Sequence, residues 1–277
     1  STTDVNDTGT GTLTLDVQSN QNGTADITVT VTDSNGESDE TTFTLTVNEV
    51  FDEPNLAAIG SQSMDEDESD KTINISATDV DIATNSETLQ FSATSSDESL
   101  VTVSTTDVND TGTGTLTLDV QPNQNGEATI TVTVTDSNGE SDDTTFTLTV
   151  NEVFDEPVIT FPFIDDSSVM DEDDLNKTIN ISATDVDIAT NGETLSFSAE
   201  SFDLDGSYSS WYSVATDSGD GTGSGTITFD VQPNQNGIGL IVLTVTDSNG
   251  ESDEQIFKLT VNEVFDEPIL AAIEDQT

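Results

Sequence analysis

The sequence contains no cysteine, no histidine and no arginine, and it sets only 3 lysines against 56 aspartates and glutamates. Each absence removes a class of chemistry. Without cysteine there are neither disulfides nor thiolate metal sites. Without His, Cys or Arg, no Ser-His-Asp set, zinc centre or arginine clamp can be assembled. A pair of carboxylates acting as in glycosidases remains open in principle. The acids recur at the same places along the chain, however, and active sites are seldom distributed that way, so no enzymatic role is expected. No apolar run approaches the ~20 residues of a membrane span. Residue 1 opens on no signal-peptide pattern, and the chain reads as beginning within a domain. A formal net charge of -53 argues against nucleic acid and anionic membrane as partners.

What is present is enough for a core. Leu, Ile, Val and Phe account for 69 of the 277 residues, about a quarter, above the roughly 20% level below which a highly charged chain stays disordered. The margin is thin, so something external is expected to quench the acids. The octapeptide VNEVFDEP stands at 47–54, 150–157 and 261–268, spaced by 103 and 111 residues. Residues 1–53 match 104–156 at all but four positions. The expected organisation is therefore half a repeat at 1–53, complete repeats at 54–156 and 157–267, and the start of another at 268–277.

Within a repeat the hydrophobic period is two. In TITVTVTD, Ile130, Val132 and Val134 fall on one face and the intervening threonines on the other, the pattern of a half-buried antiparallel strand. Turn sequences such as DSNGES and PNQNG separate the runs. Seven strands are expected in the first complete repeat, near 55–59, 72–78, 88–94, 100–104, 114–120, 127–135 and 144–151. That is the arithmetic of an all-β, Ig-like antiparallel sandwich. No window supports a long helix.

The acids cluster at three recurring places: MDEDES (64–69) and MDEDDL (170–175); ATDVDIATN (77–85 and 183–191); and TDSNGESD (32–39, 135–142 and 246–253). Loops of a sandwich gather at its two ends. Asp79, Asp81 and Asp136 can share one end, where the linker acids Glu49 and Asp52 arrive. Asp185, Asp187 and Asp247 are expected to meet Glu152 and Asp155 in the same way, and Glu263 and Asp266 belong to the third linker. Carboxylates converging without a cation of their own repel one another. Ca²⁺, which accepts 6–8 oxygen ligands in flexible geometry, is the expected cofactor; Mg²⁺ tolerates irregular all-protein cages less well.

These residues also carry a family resemblance. ATDVDIATNGETLSFSAE resembles the cadherin stretch in which two aspartates one residue apart are followed by Asn and a strand. TVTDSNGESDEQIFKLTVNEVFDEP resembles the last cadherin strands and their linker ending in Pro. The closer resemblance, over essentially the whole chain, is to bacterial cadherin-like tandem repeats of large surface adhesins and matrix proteins. It implies cadherin-like sandwiches joined by Ca²⁺-binding linkers, an extracellular or cell-surface location, and neighbouring repeats of a longer chain as first partners. Asn85 and Asn191 join the implied ligand set, and Glu66 and Glu172 are implied to serve the joint at the opposite end of their own repeat. The sequence departs from the pattern at Phe51, Phe154 and Phe265, where the linker expects Asn. It also departs at Asn123 and Asn125, where cadherins place acids.

One stretch breaks the repeat. SFDLDGSYSSWYS (201–213) holds the only Trp and both Tyr residues. Its rings could stack on a glycan or fill the core, and the second reading weighs more. The reading that results is a calcium-stiffened stalk or fibre region. Its alternatives are a carbohydrate-binding surface protein using 201–213 and an acidic wall or filament subunit whose identical chains associate laterally.

Overall fold

The computed structural model describes residues 2–6, 9–107, 112–160 and 169–272. The chain divides into two units, Ser1–Glu152 and Val153–Thr277. The first opens with two hairpins, β1 (Thr2–Asn6) with β2 (Thr10–Leu13) and β3 (Gly23–Thr32) with β4 (Ser38–Val47). A two-sheet sandwich follows, built from β5 (Asn55–Leu56), β6 (Gln62–Asp65), β7 (Lys71–Thr78), a one-turn helix α1 (Asp81–Asn85), β8 (Leu89–Ser95), β9 (Val101–Asp107), β10 (Thr113–Val120), β11 (Gly126–Asp136) and β12 (Ser141–Asn151). One sheet has the order β5-β7-β10-β9 and the other β6-β12-β11-β8.

The second unit repeats the plan with β13 (Val158–Ile159), β14 (Val169–Asp171), β15 (Lys177–Thr184), α2 (Asp187–Thr190), β16 (Ser196–Asp203), β17 (Tyr212–Asp217), β18 (Ser224–Val231), β19 (Gly237–Thr246) and β20 (Ser252–Asn262). Its sheets are β13-β15-β18-β17 and β14-β20-β19-β16.

Alternation determines which side of each strand is buried. Ile130, Val132 and Val134 of β11 and Leu148 of β12 are wholly buried, together with Leu116 and Leu118 from the facing sheet. The threonines between them pair across strands on the outer face, Thr131 opposite Thr145 and Thr129 opposite Thr147. Ile241, Leu243, Leu259, Ile227 and Phe229 make the equivalent core in the second unit. Leu15 and Val17, in the connection between β2 and β3, match the buried Leu118 and Val120 but instead line an open groove of about 560 Å³.

Two features escaped the period-two reading. β6 is an eighth strand, a short edge strand running parallel to β12 with Met64 opposite Val150; four residues are too few to show alternation. The ATDVDIATN segment closes as one helical turn in each unit, stopped in the first by Ser86 in the left-handed region at φ 61°. The NDTGTG segments at 6–11 and 109–114 lie partly outside the described residues.

The second unit solves one packing problem differently. Tyr212 occupies the place that Val101 holds in the first sandwich, each opposite the last Val of the neighbouring strand. The larger ring is accommodated because Gly239 replaces Ala128: a Cβ added at Gly239 would lie 2.2 Å from the Tyr212 hydroxyl. That hydroxyl sits 2.8 Å from the carbonyl oxygens of Phe202 and Leu240, and burial pushes its pKa up to about 12. Gly239→Ala is therefore expected to destabilise the second unit by about 1–3 kcal/mol through overpacking. Adding Tyr212→Val should recover part of the loss. Chemical denaturation of both variants measures the coupling, and simple additivity would refute the exchange.

Candidate metal centre

In the first unit the site lies where three segments end together: the linker after β4, the turn from β7 into α1, and the hairpin between β11 and β12. The Asp79 Oδ1 accepts the N–H of Asp81 at 2.8 Å, which folds the chain into α1. The Asp81 Oδ1 accepts from Thr84 and from the Asn85 amide at 3.2 and 3.0 Å, and its Oδ2 accepts the backbone N–H of Asp52 at 2.9 Å. The linker is thereby tied to the sandwich. The Asn85 Oδ1 in turn accepts from the Asn22 amide.

Asp136 is fixed by its own hairpin. One carboxylate oxygen accepts the N–H groups of Asn138, Gly139 and Glu140 at 2.9, 2.6 and 2.9 Å. Gly139 closes the turn at φ 98°, where a side chain would be strained. The other oxygen is left buried with no hydrogen-bond partner.

Asp79, Glu87 and Asp136 each bring a carboxylate oxygen to within 4.8 Å of the others. The buried carboxylate oxygens without a hydrogen bond here are Asp79 Oδ2, both oxygens of Glu87, Asp136 Oδ2 and Glu140 Oε2. Such oxygens are costly to bury unless a cation supplies what water no longer does. The acids respond as expected of an uncompensated cluster. Burial pushes Glu87 up to about 7, helped by the charges of Asp136, Asp79, Asp81 and Glu49. Asp79 is raised by burial and by Asp81, Asp136 and Asp52, against the lowering effect of the Asp81 N–H. Glu140 is raised by burial and by Asp136, Glu53, Asp52 and Asp79. Two of the three lysines are committed elsewhere: Lys71 donates to the Ser63 carbonyl and Lys177 to that of Val169.

The second unit reproduces the arrangement. Asp185, Asp187 and Glu193 bring oxygens to within 4.8 Å of one another. Asp187 accepts the Asp155 N–H at 2.9 Å and the Asn191 amide at 3.1 Å. Asp247 binds the N–H groups of Asn249, Gly250 and Glu251 through one oxygen and buries the other. Asp185 is raised by burial and by Asp187, Asp247 and Asp155. Glu251 is raised by burial and by Asp247, Glu156, Asp155 and Asp185.

The remaining sequence-derived residues are not members of these two groups. The Glu66 N–H donates to the Asn151 carbonyl at the end of β12, and the Asn125 amide approaches the Glu66 carboxylate at 3.4 Å. Glu172 accepts from the Asn236 amide at 2.9 Å and from the Val264 N–H at 2.8 Å, which hold its pKa below the usual range. Asp173 is raised by burial and then by the nearby charge of Asp266, and Glu263 is exposed just past β20. Glu152 ends the first unit.

Sequence reasoning missed Glu87, Glu193, Glu140 and Glu251. A signal existed for the first pair. Each stands two residues after the Asn that ends ATDVDIATN, at the foot of an apolar strand where burial follows.

The donor set fits a hard divalent ion. It consists of oxygens only, several already buried and without hydrogens to accept, and some are pre-oriented because their sister oxygens are fixed by backbone N–H groups. Ca²⁺ held by Asp79, Glu87, Asp136 and Glu140, with Asp81 beside them, would supply positive charge where the chain supplies none.

Comparison with known proteins bears on the fold. Residues 52–149 match the bacterial Ig domain family. The EC1-4 structure of PcdhgB3 superposes with a TM-score of 0.52 at 14% identity, over 92% of this chain and 61% of that one. The human desmocollin-1 ectodomain and the extracellular cadherin domains 1–5 of protocadherin gamma B2 align with TM-scores of 0.43 and 0.45, each at 16% identity and over 87% of this chain. The chain spans 47% and 45% of those two structures. None of the curated proteins matches it. The fold of the sandwiches is thus Ig-like and similar to that of cadherin domains.

The aromatic stretch is partly turned inward. Tyr212 is in the core, and Trp211 packs against it with its indole N–H donating to Asp203 at 2.7 Å. Tyr208 stacks on Phe202 at 4.8 Å and is 71% exposed. A sugar platform would need adjacent exposed rings, and only Tyr208 presents one.

Proposed function

We propose that this chain is a load-bearing repeat segment of an extracellular, cell-surface or matrix adhesion protein, stiffened by Ca²⁺. It is read as half a repeat at 1–53, complete repeats at 54–156 and 157–267, and the beginning of another at 268–277. The observation that carries the reading is the pair of buried carboxylate clusters, each tied to the linker that enters its sandwich by the bond from Asp52 to Asp81 or from Asp155 to Asp187. Metal at such a place joins linker and domain through oxygens from both, so an otherwise self-repelling tether becomes a strut. The ligands proposed from sequence, with Glu87, Glu140, Glu193 and Glu251 added, supply the donors. The role is mechanical rather than catalytic.

Small-angle scattering tests it. On adding millimolar Ca²⁺ to the metal-free chain, the pair-distance distribution should narrow around a single extended form. An unchanged profile, with no calcium retained after dialysis, would remove the reading.

A further inference from the structure

The outer face of the sheet β14-β20-β19-β16 is apolar in a way its counterpart is not. In the first unit the outward positions are Thr94, Thr131 and Thr145 in one row across three strands, with Thr129 and Thr147 beside them. The β3–β4 hairpin carries Thr28 with Thr42 and Asp26 with Thr44. In the second unit the same rows read Glu200, Val242, Ile256 and Phe202, Leu240, Lys258, and Ile238 pairs with Thr260. These residues alternate with the buried Ile241, Leu243, Leu259 and Val261, so they belong to the side away from the core. Ile256 is 63% and Ile238 44% exposed. Tyr208 extends the patch by stacking on Phe202. A solvated face gains nothing from exchanging Thr for Val, Leu and Ile; contiguous exposed apolar patches mark contact surfaces.

We infer that this face binds the same face of a second copy of the chain. A flat aliphatic sheet surface is matched by another, as in the aligned packing of two sheets inside each sandwich, whereas a glycan would demand exposed rings. The charges are self-complementary. Lys258 is the only cation on the face; Glu254 lies four residues before it on the same strand, on the same side, and Glu200 lies two strands away in the row of Val242 and Ile256. A twofold axis brings each Lys258 toward carboxylates of the other copy. Elsewhere the surface is so rich in acids that a copy is repelled, which leaves this face as the register that is permitted.

The experiment is sedimentation equilibrium on the whole chain in calcium-containing buffer, from micromolar to submillimolar concentration and at several salt levels. A monomer–dimer equilibrium is expected, tightening as salt screens the overall repulsion. Leu240→Thr with Val242→Thr and Ile256→Thr restores the residues found at the equivalent places in the first unit, so folding is preserved. It should weaken association by about a hundredfold or more, since each copy loses three apolar contacts. Lys258→Glu should also weaken it, and mixing that variant with Glu200→Lys/Glu254→Lys should restore a mixed dimer. A monomer at every concentration, a dimer indifferent to the threonine variant, or association that weakens with salt would each overturn the inference.

Discussion

Titrating calcium into the metal-free chain is expected to raise its unfolding temperature by roughly 6–20 °C. An extracellular site with a dissociation constant of about 10⁻⁴–10⁻³ M, held at ten to a hundred times that concentration, stabilises by about 1.4–2.7 kcal/mol through mass action. A domain of about a hundred residues moves by about 4–8 °C per kcal/mol, and each unit has its own cluster. Magnesium should do much less. Asp79→Asn and Asp185→Asn each keep the oxygen that accepts the backbone N–H of Asp81 or Asp187 while removing one negative charge. They should lower the calcium response and, in the metal-free protein, raise stability by relieving repulsion. Calorimetry with and without chelator reads both signs. A transition that ignores calcium, or a substitution that destabilises both forms alike, would contradict metal ligation by these residues.

The second large effect is on the pH dependence of the metal-free chain. Glu87 in the folded state holds its proton up to about pH 7 because of burial and the neighbouring acids, whereas an unfolded glutamate releases it near about 4.3. Between those values the folded state binds more protons, so stability falls as pH rises, levelling off above about 7. Asp79, Glu140, Asp185 and Glu251 are raised from the same first cause, burial, and act in the same direction. The metal-free chain should therefore melt higher at pH 5 than at pH 8, and calcium should abolish or reverse the difference because the ion displaces the protons. Glu87→Gln should flatten the metal-free profile of the first unit. If stability instead rose with pH in chelator, the clusters would not be the uncompensated sites the geometry describes.

Much of the fold could be read because it is local. Period-two alternation in 127–135 and 144–151 places Ile130, Val132 and Leu148 inside with no knowledge of the partner sheet, and the DSNGES turns announce the hairpins. β6 could not be read, since its pairing with β12 joins residues nearly ninety apart through four positions that have no pattern of their own. The site shows the same division. Asp79, Asp81 and Asp136 stood out because loops at one end of a sandwich must meet. Glu87 and Glu140 did not, because an acid beside a strand is ordinarily solvated, and only burial against Asp136 and Asp79 gives these two their altered acidity.

By itself the sequence determined the all-β repeat architecture, the recurrence of the acids, and the absence of any internal cation able to neutralise them, since periodicity and composition are properties of the chain alone. Tertiary structure decided which carboxylate oxygens are fixed by backbone N–H groups and which are buried without them. It also decided that Tyr212 enters the core through the space left at Gly239, and that the second unit turns Val242, Leu240 and Ile256 outward. The physical reason is the same in each case: burial and proximity are set by residues distant in sequence, and no local pattern records them.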